Sequence, residues 1–385
     1  MEDRKARMTR RSFLKSSALV GAAAMAAEIP GGSKAHAQAK EEFPIYFKWD
    51  RPIFPNVKPK FIFRMGHSVP ANIYTSSQHT QSVLFKNIVE RKTRGEIRVD
   101  IVPARGLGDD RQMIQQTKDG AIQGCVIPEG SMPIFFPEYN VLSIPYVFKT
   151  ESVAWKVLDG PFGQELMTEC LARLGIRAIA LAENGGFRNL VTKSKAIHSP
   201  KDAAGLKFRV QQHEGHMAFI RSIGGSPHPI PMQETYIALQ SNVVDGLELP
   251  VPVINMFKLY EVTKYLTLDA HIYGVDTFFI NDAWFRKMPA DLKNVIIEAG
   301  YQTTTASRGT TRVQDWEVLA KIEKSFDEIH TLSADEHEAF VKTSQPAYLN
   351  WYHSKIDPKQ VWSKKLLNAV QKAEQSIWGK GYVYG

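Results

Sequence analysis

The stretch that decides the fold opens Gly205-Leu206-Lys207-Phe208-Arg209-Val210 and closes Tyr236-Ile237-Ala238-Leu239-Gln240-Ser241-Asn242-Val243-Val244-Asp245-Gly246-Leu247-Glu248-Leu249-Pro250. The opening is a short strand-like run with one guanidinium among apolar neighbours. Between the two ends, Met217, Phe219, Ile220 and Ile223 recur at helical spacing, and Gly224-Gly225 ends that helix. Tyr236, Leu239 and Val243 then keep helical spacing up to the turn signal Asp245-Gly246. Strand, helix, turn, helix, turn, strand is the grammar of an α/β domain. Open α/β sheets hold ligands outside the carboxyl ends of their strands, and Arg209 sits at such an end.

Upstream, Lys60–Met65 reads as a first strand, with Gly66-His67-Ser68-Val69-Pro70 as the loop at its carboxyl end. A helix carrying Val83, Leu84, Phe85, Ile88 and Val89 follows, and Glu96–Ile101 alternates strictly, as a half-exposed strand does. Gly106-Leu107-Gly108-Asp109 places an acidic N-cap before a helix bearing Met113, Ile114 and Thr117. Glu129 follows the strand Gly124–Ile127, and the strand Arg177–Ala182 leads to Gly185-Gly186-Phe187-Arg188, where the glycines permit a sharp turn. Downstream, Tyr265–Leu268 and Gly274–Ile280 read as two strands. A helix capped near Asp291 runs to Ile329, and the helices beyond carry Trp351, Trp362 and Trp378.

The amino terminus is a different kind of sequence. Thr9-Arg10-Arg11-Ser12-Phe13-Leu14-Lys15 is a twin-arginine export motif, and an Ala/Gly-rich apolar run, Ser16–Ala27, follows it. Ala35-His36-Ala37 supplies the small-x-small cleavage pattern, so the expectation is a signal peptide over 1–37, cut near Ala37, and a periplasmic location. Residues 38–59 mix aromatics with prolines and read as an irregular arm. Half of the formal charge of +8 belongs to the leader, which holds seven Lys or Arg against three Asp or Glu. That balance, with no basic run interleaved with aromatics, argues against a nucleic-acid partner. Beyond the leader no apolar stretch approaches the roughly 20 residues of a membrane span. Cys125 and Cys170 sit among apolar neighbours and are expected to be buried free thiols rather than a disulfide.

The ordered set of motifs resembles the DctP-type solute receptors of TRAP transporters, from Phe61 to about Ile329. The residues that carry the likeness are G-L-K-x-R-V at 205–210, Y-x-A-L-Q-x-x-x-V-D-G at 236–246, the Leu-Gly-acidic cap at 107–109, and Arg188 after its glycines. The resemblance implies a two-lobed α/β periplasmic binding protein of type II plan, with a hinge and C-terminal helices. Lobe 1 is expected over 60–185 and 275–314, lobe 2 over 186–274 and 315–385. It implies capture of a small organic acid and its delivery to the membrane subunits of a sodium-coupled TRAP transporter. It assigns the two-pronged salt bridge to the ligand carboxylate to Arg209 and a supporting role to Arg188.

The chemistry agrees: guanidinium offers paired donors that match a carboxylate and stays charged at any relevant pH. From residue type alone, a surface ion pair is the usual fate of each arginine. Glu129, His67, Asp109 and His213 are the other expected cleft residues. Where family members often read Asp-Gly-Gln-Glu-Asn-Pro, this chain has Asp245-Gly246-Leu247-Glu248-Leu249-Pro250. Leu249 therefore removes a hydrogen-bonding amide and implies a ligand less hydroxylated than a sugar acid.

His213-Glu214-Gly215-His216 places two histidines on one helix turn without an evident third ligand, so polar helix-start surface is expected ahead of a cleft wall or a metal site. No G-x-S-x-G elbow, no GxGxxG after a strand and no cysteine-metal array is present. The reading is therefore a binding protein with no catalytic residue, cofactor or metal. An exported periplasmic enzyme acting on a small carboxylate, or a receptor of another transporter class, remains the alternative.

Overall fold

The computed structural model describes residues 49–379. The expected signal peptide and residues 38–48 of the arm lie outside the described residues. Residues 49–59 are irregular, as expected. They are tied down by Trp49 edge-on to His79 and by the Ile53 amide, which donates to Glu90 at 2.6 Å.

Among the described residues nine strands form one mixed sheet. They are β1 Phe61–Gly66, β2 Ile97–Val102, β3 Gly124–Pro128, β4 Ile176–Thr192, β5 Lys207–Val210, β6 Ser226–Pro229, β7 Gly246–Pro250, β8 Tyr265–Asn281 and β9 Glu328–Thr331. The order is β2-β1-β3-β8-β4-β7-β5-β6, with β9 added to β8. The early helices are α1 Ser77–Lys92, α2 Asp110–Asp119, α3 Glu151–Asp159, α4 Pro161–Leu174 and α5 Glu214–Ser222. The later ones are α6 Thr235–Gln240, α7 Val251–Met256, α8 Asp282–Arg286, α9 Ala290–Ile322, α10 Ala334–Lys355 and α11 Val361–Trp378.

Local rules explain much of this. In β2, Ile97, Val99 and Ile101 are buried while Arg98 and Asp100 alternate between them and pair with each other at 3.0 Å. Asp109 caps α2 and completes a capping box with Gln112, and Gly120 closes that helix at φ 76°.

The centre of the sheet differs from the expectation. The predicted strand at 177–182 continues to Thr192, and the two strands at 265–268 and 274–280 are one 17-residue strand. Gly185 and Gly186, at φ 68° and 83°, do not reverse the chain. They absorb a register irregularity between Glu183 and Phe187 and let β4 run on. A Cβ on Gly186 would stand 2.6 Å from Arg312 Nη2, a tip that can shift, so it is the positive φ that favours glycine there.

β4 and β8 thus pass through both halves of the molecule. On one side they join β1–β3, on the other β5–β7 and β9. Each half has apolar packing on both faces of the sheet. In β3, Val126 packs with Phe63 and Phe85, while Cys125 and Ile127 pack with Tyr139 and Leu142 on the opposite face. In β4, Val191 and Leu190 divide likewise between a cluster around Leu247 and one around Phe208. This is a mixed α/β sheet with helices on both faces, the layer plan of a two-lobed binding protein.

Two details differ from the sequence reading. The expected helix to Ile329 ends at Ile322. A 3₁₀ turn brings Phe326 into the core, and Glu328–Thr331 becomes β9, parallel to Tyr265–Leu268. The tail also divides its packing. Phe340 of α10 joins Phe208 and Phe219 of the second half, whereas Tyr348, Tyr352, Trp362 and Leu366 join the cluster of residues 113–181. Residues 348–378 therefore pack with the half containing β1–β3, not with the half to which 315–385 was expected to belong. No described helix is long and apolar enough to cross a membrane.

Candidate functional site

The carboxyl ends of β1, β3, β5 and β7 converge on a cavity of about 280 Å³ between the two halves. Ser68, Asp109 and Gly130 line it from the half containing β1–β3. Arg209, Gln211 and Leu249 line it from the other.

Arg209 reaches this place because β5 alternates. Phe208 and Val210 enter the core with Phe219 and Ile220, which leaves Arg209 at the strand end facing the cavity. Its Nε donates to the Ile230 carbonyl at 2.8 Å. Its Nη1 is buried and has no hydrogen-bond partner. Burial, with Arg188 beside it, pushes the guanidinium down from its ordinary 12.5 to about 10, although Glu248 opposes the shift. It remains a cation at neutral pH, and it is under-solvated.

Arg188 is in the opposite condition. The antiparallel register of β4 and β7 sets Arg188 against Pro250 and brings the Glu248 carboxylate onto its guanidinium. Nε donates to Glu248 Oε2, and Nη2 donates to Oε1 at 3.0 Å and to the Glu248 carbonyl at 2.9 Å. With its amide oriented to accept, Gln211 takes two further bonds from Nη1 and Nη2, at 3.1 and 3.2 Å. Burial raises the Glu248 carboxyl, but Arg188 and His216 outweigh it and hold the group well below the usual carboxylate range. His216 Nδ1 lies 3.2 Å and His271 Nε2 3.5 Å from that carboxylate, and Asp269 in turn holds His271 Nδ1 at 2.8 Å. Arg188 is thus paired directly with a carboxylate, while Arg209 lines the cavity with a partnerless Nη1.

The expected site residues divide accordingly. Arg209, Arg188, Asp109 and Leu249 line the cavity. Glu129 lies behind the wall made by Pro128 and Gly130. Its Oε2 accepts from the Val275 amide at 3.2 Å, and Oε1 stands 3.6 Å from His216 Nε2. His67 also lies behind the wall, fully buried, with Nε2 3.0 Å from His79 Nδ1. Burial first, then His79, pushes the His67 imidazole down to about 3, so it is neutral. His213 caps α5 by accepting from the His216 amide at 3.0 Å, and its ring lines a neighbouring cavity of about 670 Å³ with Met217 and Trp351. The two histidines are buried members of the α5 start rather than the expected exposed surface, because α5 packs against the Glu248 network.

Other lining residues carry signals of uneven strength. Gln211 and Gln212 follow directly on β5, where the strand-end rule points. Arg105 comes from a loop at φ 63°, with a buried Nε that lacks a partner. Nothing in the spacing of the sequence marks that position. Ile230, Met232, Val253 and Phe257 extend the apolar wall beside Leu249. Cys125 and Cys170 are both buried and free.

Comparison with known proteins agrees with this geometry. The family model for bacterial extracellular solute-binding proteins, family 7 (DctP), matches residues 65–355. A solute-binding protein of Verminephrobacter eiseniae is 34% identical over 65% of this chain and 75% of its own length. The crystal structure of a sugar acid binding protein from Advenella mimigardefordensis, in complex with galactonate, superposes with a TM-score of 0.75 at 28% identity. It covers 83% of this chain and 100% of that one. A TRAP periplasmic solute binding protein from a Polaromonas species, bound to D-erythronate, gives 0.72 at 28% identity over 81% of this chain and 98% of that one. With the family model matched from the first strand to the end of α10, the chain belongs to the bacterial extracellular solute-binding proteins of family 7.

Proposed function

We propose that this protein is the periplasmic receptor of a TRAP-type, sodium-coupled transporter, and that it captures an organic acid whose carboxylate pairs with Arg209. The observation that carries the reading is the contrast between the two arginines. Arg188 is already saturated by Glu248, whereas Arg209 presents a buried, partnerless Nη1 to the cavity. An incoming carboxylate relieves that cost and gains a charge-assisted pair in a site of low effective dielectric.

Asp109, Glu129, His67 and His213 then take graded roles. Asp109 fixes the start of α2 at the cleft rim, and the other three support the wall from behind or beside it. The ligand body meets Leu249, Val253 and Phe257 on one side and polar groups of the first half on the other. Galactonate and erythronate, bound by the two structural neighbours, set the class as organic acids. The apolar wall of this chain favours a less hydroxylated member.

Binding works by closure about the crossing strands β4 and β8 and helix α9, with lobes that divide near Gly185-Gly186 and with residues 348–378 moving with the first. A ligand that touches both halves only when they are closed shifts the population toward the closed form, which the membrane subunits recognise. Export by the twin-arginine route, with cleavage near Ala37, delivers the folded receptor to the periplasm.

A thermal-shift series against mono- and dicarboxylates, sugar acids, neutral sugars and amines tests the reading. A fitting acid at about 100 times its dissociation constant adds about 2.7 kcal/mol. Stabilisation by a neutral or cationic solute and by no acid would overturn it.

A further inference from the structure

Away from the cleft, three segments distant in sequence meet at His198, His330 and Glu336. One potential ligand atom from each lies within 4.8 Å of the others. None of the three lines the ligand cavity. His198 belongs to the loop after β4, His330 to β9 and Glu336 to the first turn of α10. The two imidazoles stack with ring centroids 4.0 Å apart and planes 17° from parallel. His330 Nε2 is 3.0 Å from Glu336 Oε2, and His198 Nδ1 is 3.8 Å from Glu336 Oε1. Two ligands of one tetrahedral zinc stand about 3.3 Å apart when each bond is about 2.0–2.1 Å, so the Glu336 spacings fit one ion, while one imidazole must turn out of the stack for both in-plane lone pairs to meet it.

The surroundings hold each group in place. The far nitrogen of His198, Nε2, lies 2.7 Å from Glu328 Oε1. A metal-ligating histidine commonly donates its other ring N–H to a carboxylate, which fixes the tautomer and turns the remaining lone pair toward the ion. The backbone of His198 is pinned by Asp202, which accepts from the amides of His198 and Ser199 at 3.1 and 2.8 Å. Glu336 is held by the capping box with Ser333, whose amide donates to Oε2 at 2.7 Å. His330 is held by the parallel register of β9 on β8, opposite Thr267.

We propose that His198, His330 and Glu336 bind one first-row divalent cation of the zinc type, with Glu328 as the positioning carboxylate for His198. Two imidazoles and a carboxylate suit zinc, nickel or copper and not magnesium or calcium, which prefer all-oxygen shells. Bound there, the ion ties the loop after β4 and β9 to the start of α10, within the half that carries Arg209. It is a structural site, distinct from organic-acid capture.

The test uses untagged protein stripped with a chelator and titrated with zinc chloride by calorimetry, alongside His198→Ala, His330→Ala, the double variant and Glu328→Gln. The expected result is one equivalent of zinc. Either histidine variant weakens it at least about tenfold, and Glu328→Gln weakens it by about 10- to 100-fold. Magnesium and calcium give no comparable binding. Thermal shifts with the organic acid stay unchanged in these variants, which separates failure of this site from failure of the cleft reading. Absence of a zinc equivalent in the wild type at micromolar concentrations, or full retention of it in the double variant, would overturn the proposal.

Discussion

Arg209→Met isolates the central claim, because methionine keeps much of the side-chain length and removes only the charged fork. For the ligand, the change deletes one partner of a buried charge pair, a loss of about 2–5 kcal/mol, or about 30- to 5,000-fold in dissociation constant. For the ligand-free protein the sign is opposite. The wild-type guanidinium is displaced from 12.5 to about 10, which corresponds to roughly 3 kcal/mol spent on holding the charge. The folded-state value is the lower one, so this cost is present at every pH below about 10 and fades only as pH rises from there toward 12.5. Methionine removes that cost and loses the hydrogen bond to the Ile230 carbonyl, worth about 1 kcal/mol. The net is about 2 kcal/mol of added stability, or a melting point raised by about 3 °C at pH 7. Scanning fluorimetry gives the melting point and calorimetry the affinity. Binding retained within about threefold of wild type would refute the anchor. A clear drop in ligand-free melting temperature would refute the argument that Arg209 is a stored cost.

Leu249→Asn, which adds an amide to the cavity wall, should improve the affinity ratio of sugar acid to deoxygenated acid by about fivefold, the worth of about one net hydrogen bond. An unchanged ratio by calorimetry would show that the wall at 249 does not select. Asp276 is pushed up to about 8, first by burial and then by Glu129, against hydrogen bonds from Gln78, Gln81 and Ser77. The folded protein keeps a proton that the unfolded chain releases near 3.8, so this group penalises folding progressively between about pH 4 and 8. Asp276→Asn should remove that slope from the difference between variant and wild-type unfolding curves, and parallel curves would contradict the assignment. Cys125 and Cys170 are both pushed up to about 12, chiefly by burial, so neither should react with a disulfide reagent at pH 8 until the protein is denatured. Rapid native-state labelling, or a mass two hydrogens short, would refute this.

Several features were legible without coordinates because their causes are local. The alternation of β2, the Asp109 cap of α2 and the end of α5 before Gly224 depend on residues within one or two turns of each other. The strand-end position of Arg209 follows from its apolar neighbours at 208 and 210, and the cavity meets it there. The family motifs extended that reading to the whole α/β plan.

What only the tertiary structure decided is pairing over long separations. Arg188 and Arg209 look alike in sequence. The β4–β7 register pairs one directly with a carboxylate 60 residues away and leaves the other with a partnerless Nη1. Glu129 and His67 sit near strand ends, as cleft residues do, yet both fall behind the wall, since which side of a strand end faces the cleft is set by packing across the sheet. Gly185-Gly186 reads as a turn, but β8 continues alongside, and β4 pairs with it again from Phe187 after a bulge. The cluster at His198, His330 and Glu336 exists because β9 docks parallel to β8, a contact with no local signature. Local sequence fixes backbone preference and burial periodicity, whereas charge compensation depends on distances that arise only when the strands take their register.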